Sequence, residues 1–366
     1  MPRSVQRVVQ NLAMLVIAVA VAVGAAEVAI RFAGLASPSG IAFVSAASFD
    51  RVPGLFEPNQ VLTDGRNAAL PFAVRINELG YRGASFPRSK PSGEFRILFA
   101  GDSFTFGDFV EDADTLPAQL ERALSGCTPR VRVVNAGVGG SSIDTERHVI
   151  ERGLTIEPDL VVLNFYENDL ADLAGHFWDE LASNRLRRSR PPLSWVYGTL
   201  RRSALVSLVL NTRSRWRARL REDAQVPAGV QPLASATARE AYASNFEQVL
   251  DLIGRSGVPF VFSTYPSHFA HAAGERSQNL RWVEDEARRR GLTPVSLLDA
   301  LASSGASTEQ LYLLPHDGHP RPRGYTIAAK ALSDAVAHLP GTRLQCPTPQ
   351  NATPGRQETG VPATTR

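Results

Sequence analysis

The stretch Phe95–Asp108, FRILFAGDSFTFGD, constrains the fold of this chain most strongly. Phe95, Ile97, Leu98, Phe99 and Ala100 form a short apolar run of the kind expected for a buried strand, and Gly101 ends it at once. Asp102 and Ser103 follow directly. A strand that enters a turn this way sets a hydroxyl just past its carboxyl end, where open α/β sheets bind ligands. Ser103 is therefore the first candidate nucleophile. An ordinary helix cap uses the same Asp and Ser, so the triplet needs support from the rest of the chain.

That support begins with alternation. Strands are expected at Phe95–Ala100, Val131–Asn135, Asp159–Phe165, Val258–Tyr265 and Thr293–Leu297. Helical patterns lie between and after them, at Leu116–Leu124, Ile143–Leu154, Ala238–Ser256, Ser277–Arg290 and Tyr325–His338. This order predicts a parallel sheet with helices on both faces. The 366 residues accommodate one large α/β domain with extensions, or two modest domains. A net charge of +3 gives no ground for a nucleic-acid partner. Cys127 and Cys346 make neither a zinc site nor a disulfide framework, and either one disulfide or two free thiols fits them.

At the amino end, Arg3 and Arg7 precede an apolar run from Leu12 to Ala26 that resumes after Glu27 as Val28, Ala29 and Ile30. Three readings compete: a signal peptide cleaved near Gly24–Ala26, a retained membrane anchor, and a buried core helix. Basic flanks at the terminus disfavour the core helix, and apolar character continuing through Phe32 favours the anchor. Either of the first two sends the remainder out of the cytoplasm, since Arg3 and Arg7 keep the amino end inside. Residues 1–33 are thus read as the anchor or signal segment. Residues 34–94, with Phe72, Val74 and Ile76 alternating ahead of a turn at Leu79–Tyr81, are read as a small β-rich extension. The main domain is expected over 95–340, and a Pro- and Thr-rich disordered tail over 341–366.

An insertion at 171–234 interrupts the main domain. It has no acidic residue from Leu181 to Arg221, and its many arginines are interleaved with Trp195, Tyr197 and Trp216. Such a segment suits anionic lipid headgroups or an acidic polysaccharide, while a solvated helical face or a lid accounts for the same composition.

Three further stretches fall at the edge that bears Ser103. The loop Asn135–Ser142 is rich in glycine, Phe165–Asp169 carries Asn168, and His316-Asp317-Gly318-His319-Pro320 precedes the last helix. Together they supply a serine hydrolase. A serine hydroxyl needs a base such as His319, the imidazolium needs a carboxylate such as Asp317, and the tetrahedral intermediate needs donors. The N–H groups of Ser103 and Gly140 and the Asn168 amide are the candidate oxyanion donors.

These blocks resemble the SGNH hydrolases, the GDSL esterase and lipase family. The likeness lies in Gly101-Asp102-Ser103 with Phe104 and Gly107, then Gly140, then Asn168-Asp169, then His319-Pro320 with Gly324, and spans Phe95 to Ala337 outside the insertion. The lead-in Arg75–Gly83 also resembles one found in membrane-linked bacterial members. The resemblance implies a flavodoxin-like three-layer α/β/α sandwich and acyl-ester chemistry with no metal and no cofactor. Two positions depart from the family pattern. His316 stands where the family often has its Asp, and Tyr166 stands where it usually has a glycine. The expected activity is a serine esterase anchored to the membrane, outside the cytoplasm and in a bacterial periplasm, acting on acyl esters of the acetyl type, with an acylated glycan as a candidate substrate. An O-acyltransferase using the same serine, and a tethered glycan-binding module without catalysis, are the alternatives.

Overall fold

A computed structural model describes residues 3–33, 52–64, 72–173, 192, 203–206, 208, 209, 212, 232–315 and 317–347. Helix α1 (Arg3–Phe32) is followed by an antiparallel pair, β1 (Gln60–Asp64) and β2 (Phe72–Ile76). The main domain begins β3 (Glu94–Gly101), α2 (Ser103–Phe106), α3 (Leu116–Ala123), β4 (Arg130–Gly137), α4 (Ile143–Gly153) and β5 (Leu160–Phe165). It continues α5 (Ala236–Ser256), β6 (Phe260–Thr264), α6 (Gln278–Arg289), β7 (Val295–Ser296) and α7 (Pro322–Ala337), with shorter helical turns between.

Five strands form one sheet in the order β4-β3-β5-β6-β7, every pair parallel. That is the flavodoxin-like order, whose switch point lies between β3 and β5. Side chains alternate across the sheet because the strand period is two. Leu98, Ala100, Val161, Leu163 and Phe165 join one buried cluster with α4, α5 and α6, while Ile97, Phe99, Leu160 and Val162 join the other with α3 and α7. Both faces are covered, which is why the strands read as nearly continuous apolar runs.

Among the boundaries that differ from expectation, two are instructive. Leu297, expected to end a strand, opens a helix over Leu297–Ser303 instead, so β7 is only two residues long. Helix α7 starts earlier than expected, because Pro322 takes a first-turn position where its missing N–H costs nothing. The tail also needs correction. Residues 341–347 are ordered: Thr128 and Gln345 exchange backbone hydrogen bonds of 2.7 Å each way, and Cys127 is disulfide-bonded to Cys346. Residues 348–366, and most of the arginine-rich insertion, lie outside the described residues.

Among the described residues, α1 is the one helix long and apolar enough to cross a membrane, with a mean hydropathy of 2.5 in an 18-residue window within Ser4–Phe32, a feature that signal sequences share.

The extension positions the site. Asn77 shapes its turn, accepting from the N–H groups of Leu79 and Tyr81 at 3.0 and 3.1 Å and donating to Ala84 O at 3.1 Å. The turn delivers Arg82, wholly buried, to the loop behind α2. Its guanidinium donates to the carbonyls of Phe106 (2.9 Å), Gly107 (2.8 Å), Val110 (2.7 Å) and Ala73 (3.2 Å), and to Asp112 at 2.8 Å. Asn135 at the end of β4 adds a donor to Phe106 O at 3.1 Å. Removing a buried, fully bonded ion-pair partner leaves its acceptors stranded. Arg82→Ala is therefore expected to lower stability by about 3–5 kcal/mol, read by denaturant unfolding. Arg82→Lys should recover only part of the loss, since an ammonium cannot reproduce the planar fork.

Candidate active site

The turn after β3 presses Ser103 against the sheet's carboxyl edge. At Gly101 (φ +152°) a Cβ would lie 2.3 Å from Thr105 Oγ1, and at Gly137 it would lie 2.1 Å from Phe106 N. No larger residue permits that approach of α2 to β3 and β4. Asp102 caps α2 through a 2.9 Å bond accepted from Phe104 N, and Gly107 ends the helix in a left-handed conformation. Ser103 becomes its first residue, 7% exposed.

His319 arrives from the segment before α7. Leu313 N donates to His319 O at 2.9 Å, Asp317 N to Leu313 O at 3.1 Å and Arg321 N to Leu311 O at 2.7 Å, which folds the segment into a compact loop. Its Nε2 lies 2.8 Å from Ser103 Oγ, against 3.3 Å from that hydroxyl to Asp102 Oδ2. Its Nδ1 is bonded to the Asp317 carboxylate, which also accepts from His319 N at 2.8 Å. With an acceptor at Nδ1, the neutral ring carries its proton there and offers the Nε2 lone pair to the serine O–H. The carboxylate two residues before His319 thus occupies the far ring nitrogen, and His316 lies outside the described residues.

Burial works against a charged His319. The hydrogen bond to Asp317, with the charges of Asp317, Asp108 and Asp102, outweighs it, and the ring titrates above the ordinary histidine value. Burial also pushes Asp102 up to about 6, although the bond from Phe104 N opposes this. Glu146, buried on α4, is raised well above the carboxylate range by desolvation and then by Asp102 and Asp144.

The candidate oxyanion residues share this edge. A Cβ on Gly139 would fall 3.9 Å from Ser103 Cβ, so the glycine loop passes beside Ser103, and Gly140 follows in a left-handed conformation (φ +74°). Ser142 Oγ donates to Asp169 O at 2.6 Å, tying that loop to the turn that carries half-buried Asn168. Tyr166 stacks on Phe104 with centroids 3.7 Å apart. Phe104 and Phe109 flank the His319 ring at 4.9 and 5.3 Å, Phe109 edge-on. Phe109 holds a positive φ of 65°, a conformation a bulky residue keeps only when its surroundings enforce it. Arg82 supplies that enforcement, bonding the carbonyls of Gly107 and Val110 on either side.

Sequence reasoning missed Arg82, Phe109 and Glu146. The Arg75–Gly83 motif marked the first without showing its target. Nothing local marked the other two, because their surroundings come from distant parts of the chain.

Among the described residues, no group of three or more His, Cys, Asp or Glu side chains is placed to hold a metal ion. The model of the GDSL-like lipase/acylhydrolase family matches residues 99–327. No curated protein matches the chain. Similar solved structures include a lipolytic protein of the G-D-S-L family from Veillonella parvula, at 12% identity and a TM-score of 0.39, covering 67% of this chain and 100% of that one. A catalytic mutant of an acetylxylan esterase from Geobacillus stearothermophilus is 16% identical with a TM-score of 0.39, covering 67% and 95%. The lipase/acylhydrolase from Enterococcus faecalis is 14% identical with a TM-score of 0.40, covering 66% and 95%. With its family match spanning most of the α/β domain, this chain belongs to the GDSL-like lipase/acylhydrolase family and is an ester-hydrolysing enzyme.

Proposed function

We propose that the protein is a serine esterase of the cell envelope that removes short acyl groups, acetyl foremost, through Ser103, His319 and Asp317. The observation that carries this reading is the 2.8 Å contact between His319 Nε2 and Ser103 Oγ, with Asp317 on the other ring nitrogen. Ser103 Oγ attacks the ester carbonyl carbon while its proton passes to Nε2. The N–H groups of Ser103 and Gly140 and the Asn168 side-chain amide receive the oxyanion. Collapse of the intermediate breaks the bond to the alcohol, which takes the proton from His319 and leaves an acyl-serine. Water then attacks with His319 again as base, releasing the acid and restoring Ser103.

Support for a short acyl group comes from the aromatic wall. Tyr166, standing where the family usually has a glycine, fills space beside Phe104 next to the reacting hydroxyl. An acylated glycan is the proposed substrate. A location outside the cytoplasm is supported by the Cys127–Cys346 bond, a linkage of oxidising compartments, and by Arg3 and Arg7 ahead of the apolar helix.

Fluorophosphonate labelling tests the nucleophile: Ser103 should be modified, and Ser103→Ala should be inert while still folded. A folded wild type that resists the reagent would point to a binding module. Supplying an aryl acetate with and without an oligosaccharide tests the second half-reaction. Free acetate is expected as the main product, and acetylated sugar would identify a transferase.

Asn168→Ala should lower kcat by roughly 10²–10³, about 2.7–4 kcal/mol of transition-state stabilisation, with little change in KM. His319 must be neutral to act as base and its pKa is raised, so kcat/KM should fall on the acid side with a midpoint above about 6.5. Asp317→Asn removes the leading group that opposes burial. That midpoint should move to lower pH while kcat drops about 10⁴-fold. An unmoved acid limb would remove Asp317 from the triad.

A further inference from the structure

Glu27 interrupts the apolar face of α1, five residues before the helix ends. A carboxylate on a helix meant for lipid is costly unless its oxygens are bonded. Here they are bonded by a segment nearly 180 residues away. Ser203 Oγ donates to Glu27 Oε2 at 2.8 Å, Ala204 N to Oε1 at 2.8 Å and Leu205 N to Oε2 at 3.0 Å. Residues 204–206, 208, 209 and 212 are helical, so the two amides are first-turn N–H groups with no partner inside their own helix. The next one, Val206 N, is taken by Ser203 Oγ at 3.2 Å, and Ser203 is thus the helix's own cap. Arg31, one turn on, completes the carboxylate's shell from α1 at 2.7 Å. An apolar contact lies beside the polar one: Ile30 and Ala204 bury each other, with Leu205 and Leu208 packed against them.

We infer that α1 remains in the mature protein as the docking partner of the helix beginning at Ala204, and that Glu27 is the residue that joins them. A cleaved signal sequence has no need of a partner 177 residues downstream, and cleavage near Gly24–Ala26 would separate α1 into two pieces just before that contact. The joint holds the helix beginning at Ala204 at the carboxyl-terminal end of α1. Arg201 and Arg202 lie just ahead of it in the chain, and Arg213, Arg215, Arg217, Arg219 and Arg221 lie just after. Those charges suit the anionic headgroups that would surround that level of α1. This inference rests on the proposed membrane setting of α1 and is independent of the ester chemistry.

The test uses the full chain, tagged at its carboxyl end and produced in a bacterial envelope, with Ile30→Cys and Leu208→Cys introduced together. A short bismaleimide should link the two positions in membranes, read as a joined peptide by mass spectrometry, and intact mass should show α1 present. Adding Glu27→Ala should cut the linking yield about tenfold, as expected when hydrogen bonds to a charged group are lost, while aryl-acetate turnover stays at the wild-type level. If Glu27→Ala does not accumulate, Ser203→Ala removes the cap from the other side and carries the same expectation. A mature chain that begins beyond Ala26, or a linking yield indifferent to both substitutions, would overturn the inference. Neither result bears on whether Ser103 turns over esters.

Discussion

One guanidinium holds the catalytic edge in shape. The turn that presents Ser103 is only four helical residues long, too short to be stable by itself. Behind it the chain must double back and leave several carbonyls facing inward. Arg82 meets the carbonyls of Phe106, Gly107 and Val110 at once and links them to β2 through Ala73. The extension ahead of the main domain is therefore part of the site's architecture. It fixes the loop that sets Phe109 in a conformation it would not choose and brings that ring edge-on to His319.

Beneath Ser103 the charged groups are packed closely together. Phe104 N bonds Asp102 and opposes the burial that raises it, while desolvation and then the charge of Asp102 push Glu146 up. Burial opposes a protonated His319, and Asp317, Asp108 and Asp102 favour it. A charged His319 would thus form in a field already disposed towards it, the arrangement that electrostatic preorganisation requires.

Much of this was legible in the sequence. Every strand of the central sheet was visible because sheets covered on both faces need apolar runs, and Gly101-Asp102-Ser103 marked the turn because few residues fit there. The spacing of Asp317 and His319 named the pair that the fold sets beside Ser103. Other features were hidden for physical reasons. Leu297 belongs to an apolar pattern that strand and helix share, and only packing decides between them. Arg82 read only as part of the Arg75–Gly83 lead-in, since three of its acceptors are backbone carbonyls 24 to 28 residues on that no sequence pattern records. Glu27 read as a blemish in an apolar run, because the amides that satisfy it come from the other side of the main domain's first strands.

The ordered tail carries a consequence of its own. From the disulfide at Cys346 it runs beneath the amino ends of the strands, where Arg343 bonds Glu94 O at 2.7 Å and Asp159 at 2.9 Å. Ser103 and His319 meet at the opposite rim. The covalent strap therefore closes the sheet at the pole opposite the His319–Ser103 contact, so a reductant that opens it acts at the end of the molecule away from that pair.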